Sequence, residues 1–259
     1  MKYILRNAWG HFKEINQVLK EFLSGSFYFF LGCAFLAASK LLQVVSFFLP
    51  IKVLILLSSD HVPSYVDHFP INVSYESLLA FFVAMIPCMY IGYIVFGIFA
   101  RNALDRDLNG WREKGREFRN LGGDNNRFVK IHGHVSKLFS EVMLTGLSLL
   151  LIMFLDYTMF SFLVALVLFN IVTFSQKVFY SEEKDRITWF NLHRRQFVEY
   201  LTSVNFIFVF LMLAFQIKYF EDGVFEALFI LVLSRMMFQS VQRFAFENMY
   251  IVSNLKWGN

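Results

Sequence analysis

The apolar residues of this chain form long runs separated by short polar segments, and two such runs come early. Residues 27–57 and 77–99 each exceed the roughly 18 apolar residues that indicate a bilayer-spanning helix. The first run is longer than one crossing of about 20 residues requires, so its helix is predicted to tilt, to kink at Pro50 or to continue into the cytoplasm. Each run is expected to form one transmembrane helix.

Two further apolar regions are predicted to form helical hairpins. Residues 143–174 are interrupted near the middle by Asp156, where we expect a tight turn between two helices. The runs 203–217 and 224–238 flank Glu221-Asp222-Gly223, which has the composition of a turn. The whole pattern therefore predicts an all-α polytopic membrane protein with six transmembrane helices and cytoplasmic extensions.

The two ends of the chain are distinct from this membrane domain. In residues 1–26, apolar side chains recur at helical spacing with basic side chains between them, which is the pattern of an amphipathic helix. That helix is expected either to lie in the headgroup region or to lead from the cytoplasm into the first span. Residues 254–259 form a short tail, so the six-helix domain covers residues 27–253.

Charge is concentrated in the segment 101–137, where nine basic residues outnumber five acidic ones. Basic loops beside membrane spans stay on the cytoplasmic side. The segment 58–76 has acidic residues but no Lys or Arg, so it is predicted to face outside. We therefore expect cytoplasmic loops at about 100–140 and 176–202, both termini in the cytoplasm, and an inner (plasma) membrane location.

Composition supports a membrane protein and excludes a nucleic-acid partner. The chain has 259 residues, of which 57% are hydrophobic and 17% charged, whereas soluble domains carry about 25% charged residues. Its net charge of +4 comes from basic residues beside apolar runs, where they meet anionic lipid headgroups. Membrane lipids are the partners that this placement predicts.

Two polar stripes interrupt the first and sixth spans. Their members share helical spacing and hydrogen-bonding or cationic side chains: Ser39, Lys40, Gln43 and Ser46 in the first span, and Arg235, Gln239, Gln242 and Arg243 in the sixth. Charges inside a span face a cavity, a partner or an interface. One hypothesis is a substrate pathway for an anion, formed by Lys40, Gln43, Arg235, Gln239 and Gln242. In the alternative, Lys40 and Arg235 extend to headgroups at the inner interface.

No metal site or catalytic site is predicted. His132-Gly133-His134 places two imidazoles two residues apart, whereas chelation on a helix favours spacings of three or four. No third ligand is fixed by the sequence. The nucleophile motif Gly-x-Ser-x-Gly and the zinc motif His-Glu-x-x-His are both absent from the chain.

Candidate docking residues for a soluble partner lie in both basic segments. The pairs Asn109-Gly110 and Gly122-Gly123 mark turns, so residues 111–121 are predicted to form a short helix between two breaks. The second segment is rich in aromatic and Arg residues, which interfaces favour, although it also fits an amphipathic helix on the inner leaflet. The candidates are Trp111, Arg112, Arg116, Trp189 and Arg194.

Several of these features occur together in one known family. Residues 111–121 sit where a first coupling helix would, and residues 133–138 followed by Glu141 look like a Gly-x-x-x-x-Leu start of a third helix. Residues 233–250 form a polar sixth helix rich in Gln and Arg. Over residues 27–253 the chain resembles the six-helix transmembrane domain of ATP-binding-cassette exporters.

The resemblance implies the membrane subunit of an exporter that moves an amphipathic or anionic substrate by alternating access, as a homodimer. The chain contains no Gly-x-x-x-x-Gly-Lys-Ser/Thr loop, so ATP would act only through a separate ATPase subunit, and no cofactor is expected in this chain. The short second segment, 176–202, keeps open an ATP-independent transporter or an accessory membrane protein with this fold. A membrane enzyme acting on lipid-linked substrates is a third hypothesis.

Overall fold

The computed structural model describes residues 27–58, 74–113, 125–178, 192–220 and 224–256. The elements are six α-helices: α1 (Phe27–Ser58), α2 (Tyr75–Glu113), α3 (Asn125–Leu155), α4 (Tyr157–Lys177), α5 (Arg194–Phe220) and α6 (Val224–Lys256). The prediction of an all-α protein is confirmed. Five helices, α1 to α5, are long and apolar enough to cross a membrane, as expected of a membrane-spanning protein.

Helix α6 differs from the other five in composition. Its first half is mostly apolar, with Glu226, Arg235 and Gln239 as exceptions, but its second half is more polar and carries Gln242, Arg243 and Glu247. Helix α6 is not among the five helices that suit a crossing by length and hydropathy within the described residues. Six spans therefore stay a prediction, and five helices have the required character.

Helices α1 and α2 form the most extensive pair in the described bundle. The pair approaches closely at Gly32, where an added Cβ would lie only 2.8 Å from Cγ of Leu104. Small residues permit such contact between membrane helices. Two hydrogen bonds also connect the helices. Ser39 Oγ on α1 donates to Tyr93 O on α2 at 2.9 Å, and the Tyr75 hydroxyl on α2 donates to Leu56 O on α1 at 2.8 Å.

Helix α2 corrects the predicted break at Asn109-Gly110. It continues through this pair to Glu113, so no separate short helix starts after the pair. Trp111 is only 7% exposed and its ring centroid lies 5.6 Å from that of Phe128. Burying such a side chain is worth roughly 1.5–3 kcal/mol, which offsets the cost of about 1 kcal/mol for a helical glycine. Residues 114–121 of the predicted coupling helix lie outside the described residues.

The first helical hairpin turns at Asp156, and the predicted turn is confirmed. Helix α3 ends at Leu155 and α4 begins at Tyr157. Between them, Asp156 Oδ1 accepts hydrogen bonds from the backbone N–H groups of Thr158 at 2.7 Å and Met159 at 3.1 Å. Aspartate is favoured at this position because its carboxylate satisfies N–H groups that have no partner within the helix.

Other predicted boundaries agree with the helices or fall outside the described residues. Pro50 lies inside α1, which remains one helix through it. The residues predicted as an amphipathic helix, 1–26, and the turn Glu221-Asp222-Gly223 are not among the residues that the structure describes. Of the second basic segment, only its ends are described, at the end of α4 and the beginning of α5.

The described residues bury two apolar clusters. The larger one is formed mainly by α3, α4, α5 and α6, with Leu163, Leu233 and Met237 fully buried. The smaller one joins the beginnings of α1 and α3 to the end of α2 and to α6. We call this smaller cluster the basic-end core; it comprises Phe29, Cys33, Trp111, Phe128, Ile131, Val135, Leu138 and Ile251. The end of the bundle that contains it is the basic end.

Candidate functional site

Glu141 is an acidic side chain inside the bundle. It lies on α3, and its side chain is only 3% exposed. At a rise of about 1.5 Å per residue, it lies about 21 Å before the end of α3 at Leu155. A carboxylate so enclosed in an apolar helix requires charged or hydrogen-bonding partners, because burying an unpaired charge is costly.

Three side chains from two other helices supply those partners. Lys40 Nζ on α1 donates to Glu141 Oε1 at 2.5 Å, and Arg243 Nε on α6 forms an ion pair with the same oxygen at 3.0 Å. Ser240 Oγ lies 2.8 Å from Oε2 and 2.7 Å from the backbone carbonyl oxygen of Glu141. Both carboxylate oxygens therefore have a partner. We call Lys40, Glu141, Ser240 and Arg243 the Glu141 centre.

The hydroxyl groups around Glu141 form a short network. A serine hydroxyl has one hydrogen to donate, so Ser240 serves one of its two acceptors on Glu141 at a time. Thr145 Oγ1 lies 2.9 Å from the Glu141 carbonyl oxygen and 3.2 Å from Ser240 Oγ. The network joins α3 to α6 at the level of the carboxylate.

The Glu141 centre has an excess of positive charge. Lys40 and Arg243 carry two positive charges, and Glu141 carries one negative charge. The Lys40 side chain is 26% exposed and the Arg243 side chain is 45% exposed. Both cations are therefore partly accessible, although the carboxylate that they contact is buried. A centre with this excess of positive charge can attract a further anion.

The substrate-pathway candidates do not all lie at this centre. Lys40 belongs to it, whereas Gln43 and Gln239 are exposed. Arg235 is exposed too, with its guanidinium carbon 5.6 Å from the ring centroid of Phe206. Gln242 is half-buried, and its Oε1 lies 3.5 Å from the Thr202 hydroxyl. The cation that joins Lys40 is Arg243, which the sequence placed beside the stripe.

The docking candidates differ in how accessible they are. Trp111 is buried in the basic-end core, while Arg112, the next residue, is exposed. Arg194 is half-buried at the first turn of α5. Arg116 and Trp189 lie outside the described residues. Of the five, Arg112 is the described residue that offers an exposed cation at the basic end.

The two histidines of the His132-Gly133-His134 sequence bind separate acidic partners. His132 Nε2 lies 2.8 Å from Asp107 Oδ2, linking α3 to α2 inside the basic end. His134 Nδ1 lies 2.5 Å from Glu247 Oε2, linking α3 to α6, and its ring stacks on Tyr250 with centroids 5.3 Å apart. No group of three potential metal ligands occurs within the described ranges.

Glu141 and Ser240 were not among the candidate site residues from sequence. The signal for Glu141 was one acidic residue close to the apolar run 143–174, in a chain with isolated cations in two other spans. A second buried polar contact was also missed, in which Asn205 Nδ2 on α5 donates to Asn170 Oδ1 on α4 at 2.7 Å. Pairing of these residues depends on which helix faces meet.

No protein-family model, curated protein or solved structure matches this chain. Function is therefore inferred from the geometry. The inference rests on the Glu141 centre within the bundle, the basic-end core, and the polar contacts that connect them through α3 and α6.

Proposed function

We propose that this chain is the membrane-spanning subunit of an exporter whose ATPase is a separate subunit. The observation that carries the proposal is the packed extension at the basic end. Helix α2 has 39 residues, or about 58 Å at the usual helical rise, whereas a bilayer core is about 30 Å thick. Its final turns pack into the basic-end core, which gives a soluble motor a firm surface to push on.

Polar contacts connect this surface to the helices of the Glu141 centre. The Asp107–His132 pair joins α2 to α3, and the His134–Glu247 pair joins α3 to α6. Helices α3 and α6 carry Glu141 and Arg243. A displacement at the basic end would therefore move these two helices together, which supports coupling between docking and the interior of the bundle.

The charge of the Glu141 centre favours an anionic or amphipathic anionic substrate. In one state Glu141 neutralises one of the two cations. Movement of α1 away from α3 and α6 would separate Lys40 from Glu141 and free cationic groups for a substrate anion. Alternating access in a homodimer would use this separation, and the exposed apolar faces of α2 and α5 offer surface for lipid or for a second copy.

An ATP-independent transporter or accessory membrane protein is the second candidate. Two observations favour it. Trp111, which was expected to begin a docking helix, is buried within the chain itself, and Lys40 is already paired with Glu141. A fold stabilised by these internal contacts would not need a motor.

Purification in nanodiscs, followed by mass spectrometry and an ATPase assay, separates the two candidates. We expect the tagged chain to copurify with a stoichiometric ATPase. The substitution Arg112→Glu should release that subunit, because it reverses an exposed charge at the basic end. Arg101→Glu is the matched control, since Arg101 is also exposed but lies about three turns earlier in α2. A homodimer or monomer without ATPase activity would contradict the split exporter and favour the second candidate.

A further inference from the structure

A pocket of about 340 Å³ lies at the end of the bundle opposite the basic end. It is bounded by the α3–α4 turn, the last turns of α5 and the first turns of α6. Its volume falls in the range of roughly 300–1,000 Å³ that small-molecule sites occupy. Apolar side chains form most of its walls, including Leu155, Met212, Leu213, Ile217, Ala227 and Ile230.

Gln216 lines this pocket and carries a buried acceptor. The residue is only 5% exposed, and its Nε2 donates to Asp156 Oδ2 at 2.7 Å. Because the carboxylate requires a donor, this contact fixes the orientation of the amide. The other amide atom, Oε1, is buried and has no hydrogen-bond partner within the described part of the chain. An unpaired buried acceptor on a residue that lines a pocket is a position where a ligand N–H or O–H can bind.

The charge of the pocket is negative. Asp156 and Glu226 both line it, and no Lys or Arg does so among the described residues. Lys52 on α1 interacts electrostatically with Glu226, but its Nζ lies 4.4 Å from the ring centroid of Phe82, outside the lining. The carboxylate of Asp156 is held in place by the N–H groups of α4 and by Gln216.

We propose that this pocket binds a primary ammonium group joined to an apolar body. An ammonium N–H donates to Gln216 Oε1, its charge is stabilised by Asp156 and Glu226, and the apolar walls enclose the rest of the ligand. The chemistry fits the ethanolamine headgroup of a lipid and a free amine equally. The site does not depend on the exporter function.

Binding of 2-phenylethylamine to the full chain tests the site. The chain is placed in phosphatidylcholine nanodiscs, since the choline headgroup has no N–H to donate, and heat is measured by titration with empty nanodiscs as the blank. We expect saturable binding of the amine and at least tenfold weaker binding of 2-phenylethanol, which has a similar shape without the charge. Equal binding of the two compounds, or no saturable binding of the amine, would overturn the proposal.

Two substitutions assign the binding to this pocket. Asp156→Asn removes the charge and retains a residue that caps helices well, and Gln216→Leu removes the unpaired acceptor. Each should weaken amine binding tenfold or more, whereas the control Gln239→Leu, on an exposed position of α6, should not. Circular dichroism and the melting temperature verify folding; if Gln216→Leu does not fold, Asp156→Asn decides. Unchanged affinity in Asp156→Asn would overturn the proposal.

The source of the ammonium is determined by changing the lipid. Part of the phosphatidylcholine is replaced with phosphatidylethanolamine, and the amine titration is repeated. If phosphatidylethanolamine lowers the apparent affinity for the amine, and this lipid effect is absent from Asp156→Asn, the result supports the site and identifies the lipid headgroup as its occupant. An unchanged affinity supports the site with a free amine as its ligand.

Discussion

Glu141 shows how one residue can organise three helices. A carboxylate with 3% exposure is tolerated here because Lys40, Arg243 and Ser240 satisfy both of its oxygens. Replacing buried ion pairs by apolar residues often costs little, whereas removing one member leaves charge uncompensated. The Glu141 centre is therefore expected to be sensitive to single substitutions.

We expect Glu141→Gln to lower the stability of the protein by about 1–3 kcal/mol, because it leaves the partly buried Lys40 without its anion. The control is Glu199→Gln, since Glu199 pairs with Arg195 at 3.4 Å in an exposed setting and such pairs contribute about 0.2–1 kcal/mol. Thermal unfolding in mild detergent measures both. Equal melting temperatures for the two variants would contradict this role of Glu141.

The Asn170–Asn205 pair predicts a different pattern of substitution effects. Both residues are buried, at 0% and 2% exposure; Asn205 Nδ2 donates to Asn170 Oδ1, while Asn170 Nδ2 donates to the Leu166 carbonyl oxygen. Asn170→Leu alone should destabilise the protein by about 1–2 kcal/mol, because it leaves the Asn205 amide unpaired in an apolar bundle. The double variant Asn170→Leu/Asn205→Leu should recover most of this loss. If the double variant loses as much stability as the two single variants lose together, the pair is not coupled.

At the scale of helices, α1 and α2 pack closely at Gly32. An alanine Cβ at Gly32 would lie 2.8 Å from Leu104 Cγ and 3.3 Å from the Ala100 carbonyl oxygen. At Gly146 on α3, an added Cβ would meet nothing within 4 Å. The two glycines therefore offer the same substitution in a crowded and an open setting.

Gly32→Ala should lower stability by about 1–3 kcal/mol, the usual cost of overpacking. Gly146→Ala should be neutral or stabilising by up to about 1 kcal/mol, because alanine is the better helix former. Melting temperatures of the two variants in detergent provide the comparison. A stable Gly32→Ala protein would mean that α1 and α2 do not pack as closely as described.

Helix boundaries show what the sequence could and could not predict. The hairpin at Asp156 was predictable because the acid interrupts an apolar run and caps the next helix through local contacts. The break at Asn109-Gly110 was predicted wrongly, because tertiary burial of Trp111 against Phe128 keeps α2 helical. The polar stripes contained Lys40 and Arg243, but their partners Glu141 and Ser240 required knowledge of how α1, α3 and α6 face one another.

At the scale of the whole molecule, the exposed cations are concentrated at one end. The described exposed cations near the basic end include Arg101, Arg106, Arg112, Lys130 and Lys137. The opposite end carries Asp156 and Glu226 beside Lys52, and one exposed cation, Lys218, on the last turn of α5. Cytoplasmic ends of membrane proteins carry the excess of Lys and Arg, so the basic end is expected to face the cytoplasm, where an ATPase and ATP are found.

The packing of α6 bears on the prediction that it is a sixth span. Its side chains Leu233, Met237 and Ser240 are fully buried, and it contacts α3 and α5 extensively. Its polar residue Ser240 contacts Glu141 rather than lipid. A helix enclosed by other helices does not need the hydropathy of a lipid-facing one, which is consistent with a sixth span.

The orientation of α2 and α6 tests the central claim most directly, because docking to a cytoplasmic ATPase requires the basic end to lie in the cytoplasm. Single cysteines are introduced at the exposed positions Ser74, Arg112, Glu226 and Tyr250 in a Cys88→Ala background, since the native Cys33 is buried. Intact cells are then treated with a membrane-impermeant maleimide.

We expect Ser74→Cys and Glu226→Cys to be labelled in intact cells, and Arg112→Cys and Tyr250→Cys only after permeabilisation. That result would place the basic end in the cytoplasm and establish α6 as a span. Labelling of Arg112→Cys from outside would put the proposed docking surface on the wrong side for an ATPase. The exporter function would then be contradicted.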